Sequence, residues 1–229
     1  MKKVCIVGIS GKLGIYMVQQ ALDRGYEVVG VCRERSVGKL DAFKGRITVF
    51  PGATDDRSVI KKAVEGCDGV LTVLAPFGVH QYATGTAQAV LDYAQPSARL
   101  VFSTAMHVAR DDQDVYSPAY KILVKVATKI FRLLRVVDFD DQVEACKRVF
   151  TSNTRWTVVR AGSVKEGESR GMPIWSKRVG GPISATSATL RVDFSRFMVA
   201  ALENDELIHE APAIADCQTP SALATRTGS

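Results

Sequence analysis

The sequence is poor in residues that bind metals or form disulfide bonds. Its 229 residues include three histidines and five cysteines, and no two cysteines have the C-x-x-C spacing. Scattered histidines without ligand spacing argue against a metal site. An odd number of cysteines, two of them inside apolar strand-like runs, indicates reduced core residues of a cytoplasmic protein. The cysteines are Cys5, Cys32, Cys67, Cys146 and Cys217.

Long apolar runs and aromatic clusters are also missing. No uninterrupted apolar run reaches about 18 residues, so we expect no integral membrane segment. The opening MKKVCIVGIS leads directly into a predicted strand, so we expect no signal peptide. The net charge of +6 suits anionic ligands, but the basic residues are dispersed and aromatic residues make up only 7%, which argues against nucleic acid. We therefore expect a protein that binds small molecules, as a monomer or homodimer.

The first half of the chain alternates short β-branched runs with amphipathic helical segments. Parallel strands need such helical crossovers, so this alternation predicts an α/β fold with a doubly wound parallel sheet of the Rossmann-like type. The length and the hydrophobic content of 46% suit one domain, which we place at residues 1–215, with a frayed tail at 216–229. The predicted strands are KVCIVGI, YEVVGVCR, RITVFPGA, CDGVLTVLA, ARLVFSTA and RWTVVRAG.

The second half is less regular. Residues 117–153 are mostly helical, and we predict a break near Val137–Asp138. The segment ESRGMPIWSKRVGGPIS is predicted to be loop-rich, RVDFSRFMVAALEND to be a helix, and ELIHEAPAIA to hold a last strand.

Three glycines lie in the turn between the first predicted strand and the first predicted helix. Gly8 ends the strand, Gly11 allows a backbone to approach a pyrophosphate, and Gly14 allows the helix to pack closely on the sheet. The helix N-terminus adds unpaired N–H groups, and Ser10 and Lys12 are further candidates for phosphate contacts. This context favours a dinucleotide site over a tight turn without a ligand.

The end of the second predicted strand indicates which dinucleotide the site binds. NAD sites usually carry an acidic residue there, which binds the ribose 2′-hydroxyl, but this chain has Arg33, followed by Glu34 and Arg35. A guanidinium binds a 2′-phosphate through paired hydrogen bonds, so the sequence favours NADP(H). The alternative is a solvated charge cluster, because Glu34 lies between the two arginines.

A Tyr-x-x-x-Lys pair, the usual proton donor of short-chain dehydrogenases, is missing. In that pair the lysine lowers the pKa of the phenol one helical turn away. None of the six tyrosines has a lysine four residues later, so the ordinary alcohol–ketone mechanism has no visible donor pair. The tyrosines are Tyr16, Tyr26, Tyr82, Tyr93, Tyr116 and Tyr120.

Several segments together carry a family resemblance. They are the turn GISGKLG, the arginine that closes strand two, VFSTA at the end of strand five, DDQVEACKRVFTSNTRWTVVRAGSV and TLRVDFSRFMVAAL. In these segments the chain resembles the atypical short-chain dehydrogenases with an NAD(P)H-binding, NmrA-like domain, and among them the biliverdin-IXβ (flavin) reductases. The likeness covers roughly residues 1–215.

This resemblance implies an NADPH-dependent reductase that passes hydride to a flavin-like or other conjugated acceptor, with a proton that can come from solvent. It places Ser103 and Thr104 near the nicotinamide, although both are equally well explained as strand-end residues. His107 and His80 follow strands five and four, where doubly wound folds bind ligands, and either is a candidate to touch substrate or donate a proton. The remaining residues that the resemblance assigns to the cofactor are Leu13, Ala53, Thr54, Leu74, Ala75, Pro76, Ala161 and Gly162.

Two further groups of charges stand out. Asp140, Asp141 and Glu144 are either acid catalysts or the exposed, acid-rich start of a helix. A basic stripe follows helical spacing within the segment Lys121–Val137, which looks like an insertion relative to the family. The stripe is suited to a membrane surface, an anionic ligand or a partner, or it is a solvated helix face over the core. Its members are Lys121, Lys125, Lys129 and Arg132.

Three functions remain open on these grounds. The first is the NADPH-dependent reductase. The second is a non-catalytic NADP sensor that binds a partner, which the missing Tyr-x-x-x-Lys pair permits. The third is a cofactor-using isomerase, epimerase or cyclase, because one fold hosts many activities.

Overall fold

The computed structural model describes residues 2–74, 81–134 and 137–219. Ten strands lie in these ranges. Eight form one sheet in the order β3-β2-β1-β4-β5-β6-β10-β8, in which β8 alone is antiparallel to its neighbour, while β7 and β9 form a separate pair. The strands are β1 (Lys3–Val7), β2 (Glu27–Cys32), β3 (Ile47–Pro51), β4 (Gly69–Val73), β5 (Arg99–Ala105), β6 (Arg155–Ala161), β7 (Ser163–Lys165), β8 (Ile174–Ser176), β9 (Ala188–Leu190) and β10 (Ala213–Ala215).

Six α-helices connect or follow these strands. Two of them cover one face of the large sheet and three cover the other, which confirms the doubly wound α/β fold. Two short 3₁₀ helices, at Glu34–Phe43 and Asp205–Leu207, complete the elements of the described chain. The helices are α1 (Lys12–Asp23), α2 (Arg57–Val64), α3 (Tyr82–Tyr93), α4 (Pro118–Leu133), α5 (Phe139–Thr151) and α6 (Arg191–Ala201).

Most of the core consists of two apolar layers, because successive residues of each strand point to opposite faces of the sheet. A third, smaller cluster contains Met106 and Ile183. On one face Ile6 belongs to the layer that contains Met17 of α1 and Phe197 of α6. On the other face Cys5 belongs to the layer formed with α2, α3 and α5, which includes Ile60 and Val90. Such double burial explains why the central strands read as continuous apolar runs.

The chain changes direction in the sheet between β1 and β4. From β1 it runs outward to β2 and β3, and then it returns to the other side of β1 to add β4, β5 and β6. At such a switch point the loops at the carboxyl ends of neighbouring strands diverge and leave a crevice. The glycine turn that follows β1 lies at this crevice.

Local signals set several of the element boundaries. Gly25, at φ +75°, lies two residues beyond α1, and its N–H donates to the carbonyl of Leu22. The Asp56 carboxylate accepts hydrogen bonds from the N–H groups of Ser58 and Val59 and so caps α2. The break expected near Val137–Asp138 is confirmed, since Asp138 caps the start of α5.

Three predictions about the second half need correction or completion. The segment expected to be loop-rich contains β8, which pairs with β10. The helix α4 contributes no buried residue, so the basic stripe is not a helix face over the core. The boundary at residue 215 stays a prediction, but Asp216 and Cys217 are buried, and the N–H of Asp216 donates to the carbonyl of Ala188 at 2.9 Å.

All five cysteines are buried and unpaired, which confirms that they are core residues. Within the described ranges, no helix combines the length and the apolar composition needed to cross a bilayer.

Candidate functional site

The glycine turn is held by backbone hydrogen bonds. Gly8 has φ +90°, a conformation that glycine adopts without strain, and its N–H donates to the Val31 carbonyl of β2 at 2.9 Å. The N–H of Gly11 donates to the Gly8 carbonyl at 2.9 Å. These bonds fix the start of α1 directly above the end of β1.

Gly14 and Gly11 differ in what a side chain would meet. A Cβ at Gly14 would lie 2.4 Å from the Gly8 oxygen and 2.5 Å from the Ile9 oxygen, so the helix packs on the turn only with glycine at this position. A Cβ at Gly11 would meet only the Gly8 oxygen, at 3.1 Å, and Gly11 is exposed. Internal packing therefore explains Gly14 fully and Gly11 only in part.

The N-terminus of α1 is available to an anion. Gly11 is its N-cap and provides no side-chain hydrogen bond, and the first turn contains no acidic residue. By contrast, Ser117 and Asp138 accept hydrogen bonds from the first turns of α4 and α5. Free N–H groups and the helix dipole favour a negative charge at such a position. Lys12 is exposed beside it, while the side chain of Leu13 is buried in the core.

Arg33 directly follows β2, at the strand end where the sequence placed it, and its side chain is exposed. Its carbonyl accepts a hydrogen bond from the N–H of Ser36 at 2.8 Å, which starts the 3₁₀ helix. Among the described residues, neither Arg33 nor Arg35 has a carboxylate partner, although Glu34 lies between them. Two guanidinium groups are thus free near the carboxyl end of β2.

The ends of β3 and β4 carry the next predicted residues. The Ala53 carbonyl accepts a hydrogen bond from the Asp56 N–H at 3.2 Å, and the Thr54 hydroxyl accepts one from Thr86 at 3.0 Å. Leu74 is buried, and the side-chain amide of Gln142 donates to its carbonyl. Ala75, Pro76 and His80 lie outside the described residues.

The two hydroxyl residues at the end of β5 point to opposite faces of the sheet. Both Ser103 and Thr104 are buried. Thr104 lies on the side of Cys146 in α5, and its Oγ1 has no partner oxygen or nitrogen in the described chain. Burial raises the pKa of the Cys146 thiol to about 12, while Thr104 and Arg160 act to lower it, so this thiol is no nucleophile at neutral pH.

His107 packs edge-on against Phe139 at the start of α5, with 4.8 Å between ring centroids. Burial lowers the pKa of His107, against the opposing effects of the Phe139 backbone and of Asp140. The imidazole is therefore neutral at neutral pH, and its buried Nε2 has no hydrogen-bond partner in the described ranges. A neutral imidazole can donate or accept a hydrogen bond with a ligand, but it is a weak acid and therefore a poor proton donor.

Residues at the end of β6 close the site on the far side. The Ala161 carbonyl accepts a hydrogen bond from the N–H of Met106 at 2.9 Å. A Cβ at Gly162 would lie 2.5 Å from the Ser187 oxygen and 2.8 Å from the Ala185 oxygen. Internal packing therefore explains why residue 162 is a glycine, and a contact of this residue with a cofactor stays a prediction.

The tyrosines after β5 are engaged in packing. Tyr116 and Tyr120 stack with 5.6 Å between ring centroids, and the Tyr116 hydroxyl donates to the Met106 carbonyl at 2.9 Å. Burial is the main cause that raises the pKa of both phenols. Neither tyrosine therefore has the lowered pKa that a lysine partner would give it.

Sequence reasoning misplaced Asp141. It is buried rather than exposed, and its two carboxylate oxygens accept hydrogen bonds from the N–H groups of Ala83 at 2.8 Å and Thr84 at 3.0 Å. Asp141 therefore caps α3 from a different helix. Since the two positions are far apart in the chain, no local pattern could have revealed this role.

A buried ion pair that the sequence did not indicate supports the far side of the site. Asp114 and Arg160 are fully buried and bonded to each other, and Asp114 also accepts from the backbone N–H of Val179 at 2.7 Å. Burial alone would raise the pKa of Asp114, but Arg160 and the N–H groups of Val179 and Arg110 together lower it. The pair ties the segment after β5 to β6.

The cavities that the structure does describe lie elsewhere. One, of about 350 Å³, opens beside α5 and is lined by residues such as Arg132, Asp140 and Lys147. Another, of about 240 Å³, lies near β9 and Asp216. Neither cavity is at the glycine turn. We therefore locate the candidate site from the positions of the turn and of the strand ends. In the described ranges no group of three or more His, Cys, Asp or Glu side chains is arranged to hold a metal ion.

The sequence pattern of the NAD(P)H-binding family matches residues 8–205, and the chain belongs to this family. The NAD(P)H-binding part of the family resemblance is thereby confirmed. A nicotinamide cofactor is the ligand class that the family defines, whereas the choice between NAD and NADP is not set by membership.

The chain matches only a small part of the length of its curated relatives. An uncharacterized protein of Schizosaccharomyces pombe is 36% identical over 84 residues, which are 35% of this chain and 28% of that protein. Cinnamoyl-CoA reductase 1 of Arabidopsis thaliana is 32% identical over 81 residues, which are 33% of this chain and 24% of the enzyme. The matched part thus spans about a quarter of each relative.

Solved structures share the fold over nearly the whole chain. A short-chain dehydrogenase/reductase from Veillonella parvula superposes with a TM-score of 0.71 at 12% identity, over 95% of each chain. An anaerobillin reductase from Escherichia coli O157:H7 superposes with a TM-score of 0.70 at 20% identity, over 95% of this chain and 98% of the enzyme. At these identities the likeness establishes the Rossmann-like fold alone.

Proposed function

We propose that the protein is an NADPH-dependent reductase that acts on a flavin-like or other conjugated small-molecule acceptor without a Tyr-x-x-x-Lys pair. The observation that carries the proposal is the uncapped, acid-free N-terminus of α1 behind the glycine turn, together with two arginines at the end of β2 that have no carboxylate partner among the described residues. Helix N–H groups and guanidinium groups have the charge and the donors that would suit a pyrophosphate and a 2′-phosphate.

The glycine turn would hold the pyrophosphate. Because a Cβ at Gly11 would make one close contact, 3.1 Å from the Gly8 oxygen, rather than the double clash found at Gly14, we propose that glycine at this position also serves a ligand that approaches the backbone. The N–H groups of Lys12, Leu13 and Gly14 open the helix, and the side chains of Ser10 and Lys12 add donors beside Gly8.

Arg33 would set the preference for NADPH. Its guanidinium occupies the position where an acidic residue would repel a 2′-phosphate, and Arg35 adds a second free cation. Ala53 and Thr54, at the end of the neighbouring β3, are proposed to border the adenosine half of the cofactor.

The nicotinamide end would lie over the ends of β4, β5 and β6. When bound, the reduced nicotinamide supplies the hydride. Ser103 and Thr104 are proposed to position the ring or the acceptor, and His107 is proposed to give a hydrogen bond as a neutral imidazole. Further contacts are proposed for Leu74, Ala75, Pro76, Ala161 and Gly162.

Proton transfer need not involve a tyrosine. The Tyr116 hydroxyl is committed to the Met106 carbonyl, and burial raises the pKa of its phenol, which makes it a weaker acid. An acceptor whose reduced form takes its proton from solvent suits such a site, and conjugated acceptors meet this condition. The work of the protein is then mainly to position the reactants.

The comparisons support the general class of the reaction. Curated relatives include cinnamoyl-CoA reductases, and a solved structure with the same fold is an anaerobillin reductase. We propose that this chain likewise performs a reduction, in the cytoplasm, as a monomer or homodimer.

Two measurements test the proposal. Fluorescence titration should give tighter binding of NADPH than of NADH, and Arg33→Asp should reverse or erase the difference. Arg46→Asp, the same charge change at an exposed position before β3, should preserve it. Equal binding of the two cofactors by the wild-type protein would refute the role of Arg33.

The second measurement is NADPH consumption with flavins, quinones, tetrapyrroles and enones. Oxidation with at least one acceptor supports the reductase. Tight NADPH binding without oxidation would favour the sensor, and conversion of a substrate without net NADPH consumption would favour an isomerase, epimerase or cyclase.

A further inference from the structure

The helix α4 lies on the surface and has no fully buried residue, although Tyr120 near its start packs against the small cluster that contains Met106. Its three partly buried positions from 121 onward, Val124, Ala127 and Thr128, share one side of the helix, which faces the protein. Every other residue from Lys121 to Leu134 is exposed. A helix of 16 residues that contributes so little to the core needs another reason for its apolar content.

The exposed surface of α4 is divided into two parallel stripes. Each member of the basic stripe is followed directly by a large apolar residue, and one residue along a helix corresponds to a rotation of about 100°. The apolar residues therefore form a second stripe beside the basic one. This apolar stripe consists of Ile122 (63% exposed), Val126 (49%), Ile130 (50%) and Leu133 (83%).

The charge of α4 is of one sign. The helix has four basic residues and no acidic one between Pro118 and Leu133. Arg132 pairs with Asp140 of α5 at 3.2 Å, while Lys121, Lys125 and Lys129 have no carboxylate partner among the described residues. Three free ammonium groups thus border the apolar stripe.

We propose that α4 binds the surface of an anionic phospholipid bilayer, with its axis in the plane of the membrane. The apolar stripe would enter the boundary between headgroups and acyl chains, and the lysines would contact lipid phosphates and carboxylates. An apolar face next to cations, with no acidic residue, is complementary to such a surface.

A second copy of the chain fits this face less well. Two α4 helices packed through their apolar stripes would bring two acid-free basic stripes close together, and neither helix supplies a carboxylate to offset the repulsion. The bilayer supplies the missing negative charge, so we assign the face to lipid.

A chain of aromatic contacts relates this face to the candidate site. Phe131 of α4 packs edge-on against Phe139 with 6.0 Å between ring centroids, and Phe139 in turn contacts His107. Membrane-bound α4 would therefore lie close to the segment after β5. The membrane proposal itself requires only α4 and does not depend on the reductase activity.

Co-sedimentation with vesicles tests the proposal. The full-length protein should bind vesicles of phosphatidylcholine and phosphatidylserine, should bind pure phosphatidylcholine much more weakly, and should be released by salt. The variant with Gln at Lys121, Lys125 and Lys129 should bind about a hundredfold more weakly, since each lysine near an anionic surface contributes about fivefold. A matched variant with Gln at the exposed Lys44, Lys61 and Lys62 should bind like the wild type.

The apolar stripe needs a variant of its own. Gln at Ile122 and Leu133, both highly exposed, should leave the urea midpoint unchanged and reduce binding to anionic vesicles at least tenfold. NADPH binding should be the same in all these variants, which separates this test from that of the proposed function.

Three results would overturn the proposal. The first is that wild-type protein does not bind anionic vesicles, and the second is that the two lysine variants lose vesicle binding equally. The third is that the protein sediments as a dimer which Gln at Ile122 and Leu133 dissociates, while vesicle binding is unaffected.

Discussion

A matched pair of substitutions separates the two roles that the glycine turn combines. Gly14→Ala and Gly11→Ala add the same methyl group three residues apart. At Gly14 the methyl would lie 2.4 Å from the Gly8 oxygen and 2.5 Å from that of Ile9, and backbone atoms cannot rotate away from it. At Gly11 it would meet one oxygen at 3.1 Å, and the backbone angles of φ −73° and ψ 162° suit any residue.

The expected magnitudes follow from these contacts. Overpacking costs about 1–3 kcal/mol, and the double backbone clash at Gly14 places it at the upper end. Alanine in a helix recovers at most about 1 kcal/mol relative to glycine. Gly14→Ala should therefore lower the free energy of unfolding by about 2 kcal/mol, a net value that combines those two effects. Gly11→Ala should change it by less than about 1 kcal/mol, since the entropy lost from the unfolded chain offsets a mild contact.

Urea unfolding and NADPH titration measure the two roles independently. We expect Gly11→Ala to keep the wild-type unfolding midpoint but to bind NADPH at least tenfold more weakly. A Gly14→Ala protein as stable as the wild type would refute the close packing of α1 on the turn. A Gly11→Ala protein that is stable and binds NADPH normally would show that the turn serves no ligand.

Three further predictions concern residues around the strand ends. Tyr116→Phe and Tyr120→Phe should each keep turnover of NADPH within tenfold of wild type, because a true general acid contributes about 100- to 10,000-fold; a thousandfold loss in either variant with binding intact would identify a tyrosine acid. Asp141→Ala should lower the free energy of unfolding by about 2 kcal/mol in urea, since two N–H groups of α3 lose their cap, and an unchanged midpoint would contradict that role. Asp114→Asn should cost about 3–5 kcal/mol, because Arg160 keeps a buried and uncompensated charge. The folded pKa of Asp114 is lowered, so its contribution is complete above the unfolded pKa of about 3.9 and is lost as pH falls through the folded value. The difference between wild type and Asp114→Asn should accordingly shrink during acid titration, and a difference that grew on acidification would be incompatible with this pair.

The strands and α-helices of the first half could be predicted because their signals are local, whereas the 3₁₀ helix at Glu34–Phe43 was not predicted. The predicted strand KVCIVGI is β-branched and apolar, and it contains Gly8, the residue type that favours a turn with positive φ; these properties are readable from the residues themselves. Gly25 and Asp56 likewise mark the end of α1 and the start of α2 through well-known cap chemistry.

The elements that were missed depend on distant partners. Ile174–Ser176 becomes a strand because it pairs with β10, and a three-residue strand has too little sequence for a periodic pattern. Gly162 was assigned to the cofactor by family resemblance, whereas the oxygens of Ser187 and Ala185, which restrict it, belong to a loop far along the chain.

The candidate site shows the same division between residues predicted from local motifs and properties that depend on distant contacts. The glycine turn and Arg33 follow from short motifs next to predicted strands. The neutral state of His107 depends on its burial against Phe139, and the availability of the α1 N-terminus depends on the lack of a cap, so both required the structure.

Steady-state oxidation of NADPH by the wild-type protein tests the central claim most directly. The absorbance of the reduced nicotinamide is followed with each acceptor of the panel, with NADH as the comparison cofactor and Gly11→Ala as the control. We expect oxidation of NADPH by at least one conjugated acceptor, slower oxidation of NADH at equal subsaturating concentration, and a loss of rate in Gly11→Ala that added NADPH restores. Tight NADPH binding with no oxidation by any acceptor, or equal rates with the two cofactors, would contradict the central claim.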